Sequence, residues 1–141
     1  MMVQAGDVAA GFVVEIDPQL GLVHSRCWGF WSDELAASWQ GEMLAAVHRE
    51  RAHAWCALVD LDGFAPQRPS VQEVVRTMVV TMAAYKPRSA ILLASNAITK
   101  LQLVRLLREE RCTAWSFHAR AEDAMACLRE AHAGGSHVGG R

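Results

Sequence analysis

The sequence predicts an α/β fold: a mixed β-sheet of about five strands with about four α-helices, in which an N-terminal β-hairpin is followed by β–α alternation. Three observations carry this. The run Ala54-Trp55-Cys56-Ala57-Leu58-Val59 is short, apolar and flanked by polar sequence, as befits a strand buried on both faces in the middle of a sheet. Two short apolar runs near the start are joined by Asp17-Pro18-Gln19-Leu20-Gly21, a connection short enough for an antiparallel hairpin. Beyond them, stretches with apolar residues at helical spacing alternate with short apolar runs. The totals agree with one globular domain: 141 residues, 52% hydrophobic and 21% charged. A chain of this length buries roughly two-thirds of its unfolded surface, so no disulfide or metal is required to hold it.

The first strand is Phe12-Val13-Val14-Glu15-Ile16 and the second runs from Leu22 to Trp28. On the second, Leu22, His24, Arg26 and Trp28 share one face, with Val23, Ser25 and Cys27 on the other. Ser32 is a good helix cap, and Asp33 and Glu34 suit the positive end of the helix dipole. Leu35, Ala36, Trp39, Met43, Ala46 and Val47 then recur on one stripe, until the polar run Arg49-Glu50-Arg51-Ala52-His53 closes the helix. The central strand from Ala54 breaks off in Asp60-Leu61-Asp62-Gly63, which reads as an acidic turn. Pro66 and Pro69 stiffen the loop that follows. Ser70-Val71-Gln72-Glu73 fits a capping box at the start of a helix reaching about Tyr85. Val71, Val74, Val75, Met78, Val79 and Met82 face inward there and Val80 points the other way, before Lys86-Pro87 ends the helix.

Ala90 to Ala94 is another buried strand. Ser95-Asn96 caps a helix from about Ile98 to Glu110 whose apolar side is Leu101, Leu103, Val104 and Leu107. Thr113 to Phe117 is the last strand, and Ala121 to Ala131 the last helix, with Ala124, Met125 and Leu128 inward. A single domain therefore spans residues 11–131, with an N-terminal lead over 1–10 and a flexible Gly-rich tail over 132–141.

Several function classes are disfavoured. With 14 basic against 15 acidic side chains, a net charge of −1 and no basic run, no nucleic-acid partner is expected. Cys27, Cys56, Cys112 and Cys127 form no C-x-x-C pair and read as small buried hydrophobes in a reducing, cytoplasmic setting. Met1 to Gly11 has no basic leader before an apolar block, so no signal peptide is expected. The most apolar stretch, Val71 to Ala84, is broken by Arg76 and Thr77 and is too short to span a bilayer, so no membrane insertion is expected.

Asp60 and Asp62 are the sharpest chemical pair, since two nearby carboxylates can hold a metal or act as general acid and base. The simpler reading has Asp60 tying down the turn and Asp62 solvated, because no third acidic or histidine ligand lies near in sequence. The histidines, His24, His48, His53, His118, His132 and His137, show no zinc spacing. No serine sits in a nucleophile motif, Cys56 lies inside a buried strand, and the glycines make no phosphate-binding loop. Neither a metal, nor a cofactor, nor catalysis is expected. Trp28, Phe30 and Trp31 either line an apolar pocket or pack the first helix on the sheet. Packing is favoured, with at least one ring left partly exposed.

The order of elements resembles the STAS-like fold shared by anti-sigma factor antagonists and the cytoplasmic domains of sulfate transporters. The chain looks most like the bacterial SpoIIAA-like proteins within it. The residues that carry the likeness are Arg26-Cys27-Trp28-Gly29-Phe30-Trp31, Leu58-Val59-Asp60, Ala90-Ile91-Leu92-Leu93 and the closing Phe117, Glu122-Asp123-Ala124 and Cys127-Leu128. The resemblance covers about Gly11 to Glu130 and consists of apolar and acidic positions rather than a chemical signature. In the antagonists the corresponding turn is typically Asp-Ser-Ser-Gly, with a phosphorylated serine. Here it is Asp60-Leu61-Asp62-Gly63, without either serine, and Asp62 offers a fixed negative charge instead. The expectation is a regulatory protein-interaction module that meets an unknown protein partner through Asp60, Asp62, Gly63, Phe64 as an exposed anchor, and Ser70. The alternative is a carrier of a small apolar or lipid-like ligand, walled by Trp28, Phe30, Trp31 and Phe64. Val80, an apolar residue on a polar helix face, suggests a homodimer.

Overall fold

The chain builds β1 (Met2–Gly6), β2 (Gly11–Asp17), β3 (Leu22–Gly29), α1 (Asp33–Glu50), β4 (Cys56–Phe64), α2 (Pro69–Ala84), β5 (Ser89–Leu93), α3 (Ala97–Glu109), β6 (Trp115–His118) and α4 (Ala121–Gly139). This computed structural model describes residues 2–139. The strands lie in chain order, β1-β2-β3-β4-β5-β6. The first three pair antiparallel and β3 to β6 pair parallel, which makes a mixed sheet with β4 in its interior, as expected.

The sheet has six strands rather than about five. β1 lies within the expected N-terminal lead, where Met2-Val3-Gln4-Ala5-Gly6 carries one β-branched residue and no apolar run. Its pairing comes from β2, in a register running from Met2 with Glu15 to Gly6 with Gly11. The last helix continues to Gly139 through most of the expected tail, past Gly134 and Gly135, where helix propensity is poor and the sequence pattern stops. Residues 140–141 of that expected tail lie outside the described residues.

In a sheet laid down in chain order, crossovers of one hand carry every connecting helix over the same face. α1, α2 and α3 share one face and enclose the main core: Phe12, Val14, Val23, Val59 and Leu92 from the strands meet Trp39, Met43, Val75, Met78, Leu103 and Leu107 from the helices. α4 follows the last strand and takes the opposite face, where Ala124 and Leu128 pack with Leu22, Cys56, Leu58, Ile91 and Leu93. It rests on β5 and β6. The same face of β1 to β3 holds an open hollow lined by Met2, Gln4, Val13, Glu15, His24 and Arg26.

α1 forms as its sequence dictates. The Ser32 hydroxyl oxygen accepts the Leu35 N–H at 3.1 Å, and Ala36, Trp39, Met43, Ala46 and Val47 are buried. Each large apolar side chain buried this way contributes roughly 1.5–3 kcal/mol. The Trp39 indole N–H donates to the buried Ser25 hydroxyl at 2.9 Å, so neither polar group is stranded.

α2 starts differently. Pro69 takes the first helical position, where its fixed φ suits the helix and its missing N–H costs nothing. Ser70 is therefore inside the helix, its hydroxyl donating to Asp33 Oδ1 at 2.6 Å, and the expected capping box does not form. Val80, the residue that suggested a homodimer, is half-buried: it packs against the core and also lines an open hollow beside Arg76 and Thr77.

α3 is capped by Asn96, whose Oδ1 accepts the N–H groups of Ile98 and Thr99 at 2.9 and 3.1 Å. Of its expected apolar side, Leu103 and Leu107 are buried together with Thr99 and Leu106, whereas Leu101 is exposed and Val104 half-buried. The rotation has a polar cause: the Thr99 hydroxyl donates to the Phe64 carbonyl at 3.0 Å, and this turns Leu101 outward.

Candidate functional site

β3, β4, β5 and β6 end at one carboxyl edge, where ligands and partners of open α/β sheets gather. The β1–β2 turn reaches the same edge, because Gly6 and Gly11 pair beside Trp28. Asp7 organises that turn: its Oδ1 accepts the N–H of Ala9 at 2.8 Å and of Ala10 at 3.2 Å. The Trp28 indole N–H donates to the Asp7 carbonyl at 2.7 Å and locks the turn onto β3. Gly29 sits at φ +80°, and a Cβ there would strike the Ala9 carbonyl oxygen, so only glycine permits this closeness.

The acidic segment is strand, not turn. β4 runs through Asp60-Leu61-Asp62-Gly63 to Phe64. Pairing with β5 stops at Asp60 opposite Leu93, and β3 alone continues alongside. Arg26 pairs with Asp60 and Trp28 with Gly63, so Leu61 and Asp62 together face Cys27 across a β-bulge. The bulge shifts the alternation of faces, which lets Leu61 and Phe64, three residues apart, both enter the core. Asp and Gly read locally as turn formers, and pairing with β3 overrides them.

Asp60 Oδ1 accepts the Asp62 N–H at 2.9 Å and fixes the bulge. Asp62 is exposed yet engaged, since its Oδ1 accepts the Ser95 N–H at 3.2 Å and also the Ser95 hydroxyl. Asp62 thereby ties the end of β4 to the segment between β5 and α3. Sequence reading took Ser95 only as a helix cap, and nothing in the sequence marks it as a partner of Asp62.

Phe64, expected as an exposed anchor, is 4% exposed. Its ring meets Trp31 edge-on at 4.8 Å, and Trp31 is itself fully buried against Phe12 and Trp39. The Trp31 indole N–H is shared between the Trp28 and Gly11 carbonyls. Its backbone N–H donates to Gln67 Oε1 at 2.8 Å, while Gln67 Nε2 donates to the carbonyls of Gly29 and Ala65 at 2.8 and 2.6 Å. Gln67 escaped sequence reading because a buried glutamine in a proline-stiffened loop has no pattern to reveal it. Of the three candidate pocket aromatics, Trp31 belongs to the core and Trp28 is half-buried beneath the Arg26 guanidinium, 5.4 Å from its ring. Phe30 is exposed, with Arg68 4.9 Å above it. Ser70 lies in the first turn of α2, bonded to Asp33, and does not line the hollow at the acidic pair.

Besides the open groove of about 400 Å³ that Ile98, Leu101, Val104 and Arg105 line along α3, two spaces lie nearer the acidic pair and Phe64. Arg26, Cys27, Trp28, Asp60, Asp62 and Gly63 line an open hollow of about 300 Å³. Behind Phe64 and Gln67, between α2 and α3, lies a cavity of about 20 Å³, room for little more than one water. Among the described residues no group of three or more His, Cys, Asp or Glu side chains is placed to hold a metal ion. Burial pushes the Cys27 thiol up to about 12 and raises that of Cys56 as well, so neither is a nucleophile near neutral pH.

The edge is distinguished by what it exposes. Val8 (100%), Phe30 (51%) and Ile98 (58%) are large apolar side chains open to solvent in the segments after β1, β3 and β5, on the two sides of β4, and Leu101 (68%), one turn further along α3, lines an open groove with Ile98, Arg105 and Arg108. Sequence reading assigned Leu101 to the core and gave Val8 and Ile98 no role. Among the described residues no helix is long and apolar enough to cross a membrane. No family model, curated protein or solved structure matches this chain.

Proposed function

We propose that the protein is a non-catalytic, regulatory protein-interaction module of STAS-like type, whose contact surface is the carboxyl edge of the sheet. The observation that carries this is that Val8, Phe30 and Ile98, in the segments after β1, β3 and β5, are large apolar side chains exposed at the edge where β4 ends in the acidic pair, with Leu101 one turn along α3. Apolar groups gathered at one edge mark a surface that another molecule covers. Asp60 and Asp62 between them add charge, which serves specificity and on-rate more than affinity. The bulge, the Asp62–Ser95 bonds and the Gln67 clamp hold the edge rigid, so little conformational freedom is lost on docking. Phe64 and Ser70 drop out of the contact set, and Val8, Phe30, Ile98 and Leu101 enter it.

The carrier reading asks for an apolar pocket of several hundred cubic ångströms. Trp31 and Phe64, two of its four walls, pack against each other instead, so the expected walls enclose no such pocket. The free cysteines fit a cytoplasmic place of action. The test is affinity capture from the native cell with the wild-type chain and with the Ile98→Ser/Leu101→Ser double variant as baits. A protein retained by the first and lost by the second, with equal melting temperatures, is the expected result. Equal capture by both baits overturns the proposed surface.

A further inference from the structure

The outer edge of β1 stands apart from the carboxyl edge and has its own chemistry. Among the described residues nothing pairs with its far side. Sheet edges of monomeric proteins are commonly blunted by charges, proline or a bulge. Met2-Val3-Gln4-Ala5-Gly6 has none of these and its register with β2 is unbroken, and only its last residue, Gly6 at φ +92°, departs from extended backbone. The Asp7 N–H donates to the Ala10 carbonyl at 3.0 Å, which marks that pair as hydrogen-bonded. By the alternation of an antiparallel ladder, Val3 and Ala5 then bond to β2, while Met2, Gln4 and Gly6 turn their N–H and C=O groups outward.

We propose that β1 pairs antiparallel with β1 of a second copy of this chain, about a two-fold axis through Gln4, joining two sheets into one. The strand is complementary to itself in that register. Gln4 faces Gln4, and Met2 faces Gly6, so the largest side chain lies over the residue that has none. The three outward-facing residues of each strand meet as hydrogen-bonded pairs. On the α1 side, the half-buried Val3 meets Ala5. No charge opposes a like charge anywhere along the seam. A second copy is favoured over a foreign peptide because this match is internal to the strand, and a two-fold contact requires a self-complementary patch. Five residues on each side make a small interface, below the standard size for a stable complex, so the pairing is concentration-dependent.

The experiment is sedimentation velocity from about 5 to about 500 µM, a range suited to a small interface, on wild type, Gln4→Lys, Gln4→Glu and an equimolar mixture of the two variants. Gln4 is exposed, so both variants keep the fold, and circular dichroism verifies it. The wild type should move from 15.5 kDa towards twice that mass as concentration rises. Each variant alone should remain monomeric, because like charges meet on the axis. The mixture should recover the dimer as a Lys–Glu heterodimer. A wild type monomeric throughout overturns the proposal, and so does a dimer that Gln4→Lys leaves intact. Because β1 lies apart from Ile98 and Leu101, failure here leaves the carboxyl-edge contact standing, and the reverse holds too.

Discussion

Phe64 shows how one side chain changes role once its neighbours are known. It sits against Trp31 in the core, so Phe64→Ala should cost about 3–5 kcal/mol, the usual range for emptying a buried aromatic site. A thermal melt checks this, and a loss below about 1 kcal/mol would mean the site collapses freely or the ring is not packed there. Asp60 and Asp62 are separable in the same assay. Asp60→Ala removes the acceptor that holds the bulge and should cost about 1 kcal/mol, by analogy with lost caps. Asp62→Asn keeps an oxygen for Ser95 and should change stability by less than about 0.5 kcal/mol. The cysteines divide by burial. A thiol reagent at pH 8 should label the half-buried Cys112 and Cys127 while sparing Cys27 and Cys56 until the chain unfolds. Cys27 also fixes a pH dependence. Its thiol titrates near 9 when unfolded and at about 12 when folded, so the stability tied to its neutral form is complete below pH 9 and fades as pH rises towards 12. The melting temperature should fall across that window, and less steeply in Cys27→Ala.

The helices show where local rules suffice and where they fail. α1 obeys its sequence in cap, stripe and end, because Ser32 has no competitor for the cap and a single apolar stripe faces the sheet. Ser32→Ala should cost about 1 kcal/mol in denaturant melts, and Asn96→Ala at the start of α3 about the same. An Asn96 variant as stable as wild type would mean that packing alone starts that helix. At α2 the expected cap at Ser70 gives way to a start two residues earlier, because Pro69 suits the first helical position by geometry alone. At α3 the expected apolar side held Leu101, Leu103, Val104 and Leu107, and the buried side is turned to Thr99, Leu103, Leu106 and Leu107. Which side turns inward depends on a hydroxyl reaching a carbonyl 35 residues away in sequence, and no helical period contains that information.

At the scale of the molecule, strand order decides where function can lie. Because the strands are laid down in chain order, α1, α2 and α3 crowd one face, and α4 takes the other over β5 and β6. The parallel strands then share one carboxyl edge, and the β1–β2 turn joins it through the Trp28 bond to Asp7, bringing Val8 and Phe30 to the same edge although 22 residues separate them. Substitutions on this surface should spare the fold. Ile98→Ser and Leu101→Ser together should leave the melting temperature near that of wild type, because both side chains are already in water. A large drop in melting temperature would place them in the core instead.

Local sequence was enough to specify the α/β class, the hairpin, the interior strand, the four helices and most of the buried set. These rest on local periodicity and turn chemistry, which a short window contains. Tertiary structure decided the rest. It made β1 a strand, since five weakly patterned residues pair only when β2 presents its edge. It turned Asp60-Leu61-Asp62-Gly63 from a turn into a bulged strand, since β3 supplies hydrogen bonds that outweigh the local preference of Asp and Gly. It moved Phe64 into the core and Leu101 out of it, since burial is a property of what lies opposite a side chain and not of the side chain alone. The candidate site followed the same division. Asp60 and Asp62 were legible as charges, whereas their partner Ser95 and their apolar flanks Val8, Phe30 and Ile98 come together only where distant strand ends meet.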